Sequence, residues 1–474
     1  VKMKALAAVA VVVVGGYLGA TVVTGNKIAA AYDARAEKLE KQFPFVRVVH
    51  RQAEKGMFSS TYSGKLRIGC APAAGAGGEA AKAGKTLDIG FRDRVLAGPL
   101  PGFSTIGAAV IESEVVLPDE VPEGVRKYLA GMKPQDIRTV VGYGGDYNTR
   151  VRLPGGDIAL PTGKLTWPDV HLSGAGNFDG GAFTFDGTLP ELAFVGAEKG
   201  GKSTLDVKLA KLRWQGTSLP ADSFWLRPGT STLDIERLEV LANAGGKPVS
   251  AQIGKFKYLA EVKADKDLLD AKAAFTADAT LRIGEEAKPI QLDNFEFQES
   301  LKHLHGPTLQ KVLEASMAQL SSTCEGGKVS QEDAAALGLE MMRTLAQLLP
   351  HAPEISVDKL AVTYEGQRGE MSFSASAPGL TAEDVEEPVV MKAKLHANML
   401  VKASARLPVA WVQLLGERSG DPAGAPQRVA QAHSMVDLAV GKGFAVRDGE
   451  FLASTVVLEK GAVLLNGKPM SEGK

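Results

Sequence analysis

Residues 275–283 read FTADATLRI, and the two parities of this stretch separate completely. Phe275, Ala277, Ala279, Leu281 and Ile283 fall on one side of an extended chain, and Thr276, Asp278, Thr280 and Arg282 fall on the other. Successive side chains of a strand point to opposite faces, so the stretch predicts a β-strand with one apolar and one wet face. Crossover helices would cover both faces of a parallel sheet, which makes a sheet wetted on one side characteristically antiparallel.

The same alternation recurs outward from this point. Met391, Ala393, Leu395, Ala397, Met399, Val401 and Ala403 interleave with Lys392, Lys394, His396, Asn398 and Lys402, which predicts a second long strand. Its odd positions are the candidate face for an apolar ligand. Tyr62, Gly64, Leu66 and Ile68 alternate, as do Ile137–Tyr143 and Tyr147–Leu153, the last two predicting a hairpin around Gly144-Gly145-Asp146. In two places the parity slips: Leu205-Val207-Leu209 gives way to Leu212-Trp214, and Ala251-Ile253 to Phe256-Tyr258. A one-residue slip would turn the apolar set to the other face, so bulges are expected near Ala210 and Gly254.

Helical periodicity is confined to islands: Glu123–Met132, a region near 307–349 and another near 408–442. The first of the two longer regions opens on Pro307 and carries a capping-box pattern at Ser330–Asp333. Many strands with few segregated helices predict an α+β fold, predominantly antiparallel, with one large curved sheet across residues 45–474.

Ahead of that domain, residues 5–24 (ALAAVAVVVVGGYLGATVVT) contain no charge. Twenty helical residues span about 30 Å, the thickness of a bilayer's hydrocarbon core. Lys2 and Lys4 precede the stretch, so residues 1–4 are expected in the cytoplasm, with the large domain in the periplasm. The expectation is a single transmembrane signal anchor in the bacterial inner membrane, followed by a helical linker over residues 25–44. Its rival is a signal peptide cleaved after Ala31. Gly15, Gly16 and Gly19 offer a small-residue face through which such anchors can associate.

The chain of 474 residues carries 54 Lys and Arg against 55 Asp and Glu, a net charge of −1, which argues against nucleic acid as a partner. Two cysteines, Cys70 and Cys324, are too few for a disulfide framework; they are either one pair or two separate thiols. Gly196–Ser203 (GAEKGGKS) satisfies the P-loop spacing, but Thr204–Trp214 alternates like a strand where a phosphate site needs a helix N-terminus. A hairpin turn is the better reading. Glu299, His303 and His305 come close together, but not at zincin spacing. No nucleophile elbow or reactive-cysteine signature occurs, so no catalytic residue, cofactor or metal is assigned.

Several short segments, read in order, resemble the YdgA-like family of bacterial envelope proteins: Thr24–Lys27, Lys55–Ser60, Val95–Pro101, Leu345–Tyr364 and Gly461–Pro469. Ala97 stands where that family's turn has histidine. The resemblance implies envelope location and a β-rich fold, with no substrate or catalytic residue. The expected function is therefore non-enzymatic: a tethered protein binding lipid, another apolar ligand or an envelope partner along a curved sheet. The alternatives are a structural protein with a closed core and a hydrolase whose carboxylates meet only in the fold.

Overall fold

FTADATLRI is strand in the computed structural model, and strands dominate it. The structure describes residues 37, 39, 40, 42, 43, 45–56, 59–69, 86–97, 100–178, 180–197, 203–223, 225–244, 247–284, 288–324, 331–418 and 422–470. The hydrophobic stretch 5–24 with its glycine face, most of the linker 25–44, and Cys70 of the candidate disulfide lie outside them. Among the described residues no helix is long and apolar enough to cross a membrane. The chain divides into two units, one of Val1–Ser231, Leu241–Gly246 and Gln310–Glu340, the other of Thr232–Val240, Lys247–Leu309 and Met341–Lys474.

The first unit is an antiparallel meander: β1 (Val46–Lys55), β2 (Ser59–Ile68), β3 (Leu87–Ala97), β4 (Ala109–Val116), helix α1 (Glu123–Ala130), β5 (Ile137–Val141) and β6 (Asp146–Leu153). The hairpin β7 (Gly156–Leu160)–β8 (Gly163–Trp167) follows, then β9 (Val170–Asn177), β10 (Phe183–Ala197) and β11 (Ser203–Ser218). β9 pairs with β6 and with the first half of β10, whose second half pairs with β8. Tyr62, Leu66, Val95, Ile111 and Val141 are buried here, and the alternating faces of β2 and β5 meet in this core. Both clusters of fully buried apolar residues among the described residues belong to this unit. Within it, the hydroxyls of Thr139 and Thr149 bond at 2.8 Å across the β5–β6 hairpin.

β10 and β11 flank the P-loop lookalike, with Ala197 paired to Thr204. Strand, not helix, follows Ser203, so the dipole and amide cradle that phosphate requires do not form. One expectation for β11 needs correction. No register shift occurs near Ala210, because β10 slips its parity at the same place, keeping Leu189 opposite Leu212 and Leu192 opposite Leu209. Lys211 takes a left-handed backbone (φ 50°) there, opposite Pro190, which has no N–H to offer.

After β12 (Gly229–Ala244), the second unit builds an antiparallel sheet from β13 (Lys247–Asp265), β14 (Leu268–Ile283), β15 (Ile290–His305), β16 (Glu354–Tyr364), β17 (Gln367–Ser376), β18 (Leu400–Pro408), β19 (Val446–Asp448), β20 (Phe451–Glu459), β21 (Ala462–Leu465) and β22 (Lys468–Pro469). Each of β13 to β17 pairs with the next; β18 pairs with β20, which also carries β19 and β21. The turns Glu365-Gly366, Lys460-Gly461 and Asn466-Gly467 have positive φ at both central residues, the geometry of tight type I′ hairpins. Helices α2 (Gly306–Cys324) and α3 (Gln331–Ala346) separate β15 from β16 in the chain. Between β17 and β18 come α4 (Ala382–Glu386) and α5 (Pro388–Asn398), and between β18 and β19 come α6 (Val409–Arg418) and α7 (Ala425–Gly441).

α5 overturns the strand expected from Met391 to Ala403. Met391, Ala393, Leu395 and Ala397 are helical, Met399 is the C-cap, and only Val401 and Ala403 lie on a strand, β18. The segment is rich in Ala, Lys, Leu and Met, which favour helix, and Pro388 sits in the first turn, where its missing N–H costs nothing. Met391 and Leu395 are half-buried, four residues apart on one stripe, whereas Ala393 and Ala397 are exposed. The six candidate ligand-face residues therefore form no common face.

Candidate functional site

The apolar face that the sequence placed on residues 391–403 is carried by β13–β18 and β20. On β14 it consists of Ala271, Ala273, Phe275, Ala277, Ala279, Leu281 and Ile283. Cross-strand pairing extends it: Phe275 lies opposite Tyr258 and Phe297, and Phe297 opposite Leu360. The next pairs outward are Leu360 with Met371, then Met371 with Ala405. A parallel row runs Leu301, Ile355, Ala375, Val401 and Leu458. The Phe275 ring stands 5.3 Å from both Phe295 and Phe297 and 6.2 Å from Phe256, an aromatic cluster across three strands.

Bulges keep this face apolar. Against β14, β13 gains one residue between Gly254 and Lys257, so Ile253 and Tyr258, of opposite parity, face the same way. β15 gains one at Asn294 and another at His303, both with left-handed backbone (φ 47° and 56°). The first lets Leu292 and Ile290 rejoin the side of Phe295 and Phe297.

The face is not sealed. Ile355 is 54% exposed, Met371 45%, Phe373 40% and Leu301 37%. These four lie together, since Leu301 pairs with Ile355 while Val357, two residues on from Ile355, pairs with Phe373. Cover is present at one corner, where the Trp411 ring on α6 occupies the space beside Gly369 and its indole N–H donates to the Tyr364 carbonyl at 3.3 Å. Glu299 is the exception to the face's chemistry: it lies between Ala273 and Val357 across the strands and between Phe297 and Leu301 along β15.

The opposite face is polar and mutually paired. Glu296 meets Lys359 at 2.6 Å and Arg368 at 3.1 Å, and Lys302 meets Glu354 at 2.7 Å. The Lys359 hydrogen bond holds the Glu296 carboxyl below the usual range, and the Glu354 bond raises Lys302. The Asp278 carboxyl is lowered first by the Asn294 backbone N–H and then by Lys255. A shallow polar depression of about 380 Å³ lies beside it, lined by Arg237, Gln252, Lys255, Asp278 and Thr280. The buried hydroxyls of Ser300 and Ser356 bond at 2.7 Å and share Asp358, with no histidine bonded to either serine, so the group ties β15 to β16.

The histidines read as a loose cluster separate into two settings. The backbone N–H of His303 donates to Asp270 at 2.8 Å, and its ring lies 3.2 Å from the Ala352 carbonyl. His305 stacks on His351, ring centroids 3.9 Å apart, with Nδ1 2.9 Å from the Thr308 hydroxyl. Glu299 is on the apolar face, away from any shared coordination with them. Among the described residues no group of three or more His, Cys, Asp or Glu is placed to hold a metal. The signal for the true face was legible in FTADATLRI; what sequence reasoning missed was that β15–β17, with weaker alternation and bulges, complete it.

No curated protein and no solved structure matches the chain. Residues 2–473 match one family model, and the chain belongs to DUF945, a bacterial protein family of unknown function.

Proposed function

We propose that the second unit holds the acyl part of an envelope lipid against its apolar sheet face, in a protein tethered to the inner membrane with its β-rich domain in the periplasm. It acts by binding rather than by catalysis. The carrying observation is the exposed group Leu301, Ile355, Met371 and Phe373 on a face continuous with the Phe275 aromatic cluster. An exposed apolar patch rimmed by polar residues marks a binding surface. The uncharged stretch 5–24, long enough to span a bilayer, favours a lipid occupant, because an anchored domain stays where acyl chains are the commonest apolar partner. The finer likeness to YdgA-like envelope proteins agrees with that location.

The test is mass spectrometry of lipid extracted from gently purified full-length protein, compared with Ile355→Asp. A residue 54% exposed tolerates a solvated carboxylate, so the variant should fold and lose the lipid. Folded wild-type protein that carries no lipid and takes up no acyl probe overturns the reading. So does a dimer in light scattering that Ile355→Asp converts to monomer, since a second copy would then occupy the face.

A further inference from the structure

We propose that the lipid bound on this face carries an ammonium group, which Glu299 receives. The inference rests on the acyl-binding reading and adds the headgroup chemistry.

Glu299 is the one acidic residue in the rows formed by β13–β18 around Phe275 and Phe297. Its neighbours across the strands are Ala273 and Val357, and along its own strand Phe297 and Leu301. Diagonally it faces Ala271, Phe275 and Ile355, all apolar. Its carboxylate is exposed and makes no ion pair or hydrogen bond among the described residues. That sets it apart from Glu296 and Glu354 on the other face, each held by a cation within 3 Å.

A carboxylate in the middle of an apolar face is unhelpful to a purely hydrocarbon ligand, which would have to desolvate it without return. The same carboxylate favours an occupant that brings one cation on a long apolar body. An acyl lipid with a primary ammonium headgroup has that composition, one charge against many methylenes. An amphipathic peptide fits less well, since its backbone and polar flank would need partners that Ala271, Ala273 and Val357 do not offer. The chain's net charge of −1 gives no general field to draw cations, so a preference for ammonium has to come from a local group.

The experiment measures binding of dodecylammonium, dodecanol and dodecanoate, each below its micelle concentration, to full-length wild-type protein and to Glu299→Gln. Dodecylammonium should bind wild type more tightly than dodecanol by on the order of fivefold, as one solvent-accessible ion pair provides, with dodecanoate weakest. In Glu299→Gln the ammonium preference should collapse toward unity. Equal affinities for all three in wild type, or a preference that survives Glu299→Gln, overturn the inference while leaving the acyl site standing. No binding of any probe removes the acyl reading itself. Displacement of dodecylammonium by a lysine-bearing amphipathic peptide at lower concentration would assign the face to a polypeptide and overturn the lipid headgroup.

Discussion

The carboxylate of Asp278 on β14 accepts the backbone N–H of Asn294 on β15 at 2.9 Å, while its other oxygen meets Lys255 of β13 at 3.0 Å. Both partners are extra residues of bulges, and both have left-handed backbone (φ 47° and 51°). One side chain on the wet face thus closes the ladder gaps in the strands on either side of it. Asp270 repeats the device with the N–H of His303 at 2.8 Å. Bulges leave a backbone group without its ladder partner, and here aspartate supplies one, so the parity shift that keeps the apolar face continuous is stabilised from the opposite side.

Replacing Asp278 by Asn should therefore cost about 1 kcal/mol at neutral pH, since an exposed charge-assisted pair is lost and one neutral hydrogen bond is retained. The sign of the pH dependence follows from the lowered carboxyl. Its contribution is complete above the unfolded-state value of ~3.9 and is lost as pH falls through the lower folded-state value. Urea denaturation of both proteins should show the gap at pH 7 and its closure in strong acid. A gap that widens on acidification would contradict the assignment.

A second prediction tests α5 directly. Ala393 is exposed in the middle of the helix Pro388–Asn398. In a helix Ala→Val costs roughly 0.5 kcal/mol through lost rotamer freedom, whereas in a strand valine is the better residue. Ala393→Val should lower stability slightly, measured against Ala393→Leu as a helix-tolerant control. A stabilised valine variant would restore the strand reading.

That segment also shows where the sequence is legible. Alternation at residues 275–283 decided strand correctly because Thr276, Thr280 and Ile283 add β-branched weight to the period of two. Between Met391 and Asn398 the same period rests on Ala, Lys, Leu and Met, and Pro388 in the first turn outweighs it. Hydropathy alone does not separate the two cases; residue type does. The slip at Gly254 was readable because only one strand of the β13–β14 pair slips, while at Ala210 the neighbour's matching slip, visible only once β10 and β11 are paired, removes the register shift. Glu299 was noticed for its nearness to His303 and His305. Its place on the apolar face depends on which residues of β14 and β16 stand beside it, and that is a property of register.

The closed corner of the face yields the last prediction. Gly369 lies opposite Val362 in the β16–β17 pair, on the apolar side. A Cβ built there would collide with the six-membered ring of Trp411 and come within 3.1 Å of Leu407 Cδ2. Trp411 is fixed from two sides, by its bond to the Tyr364 carbonyl and by the Tyr364 ring with centroids 6.4 Å apart, so it has little room to withdraw. Gly369→Ala should consequently destabilise by about 1–3 kcal/mol, the usual cost of an extra carbon forced into a packed site. If steric conflict with the indole is the cause, the penalty depends on the indole. In a Trp411→Ala background, itself destabilised, adding Gly369→Ala should cost little or even stabilise, because alanine suits a strand better than glycine. The double-mutant cycle then shows a coupling of about 1 kcal/mol or more between residues 42 positions apart in sequence. Additive effects would mean that α6 does not rest on this corner, and the apolar face would be open along the whole of β17.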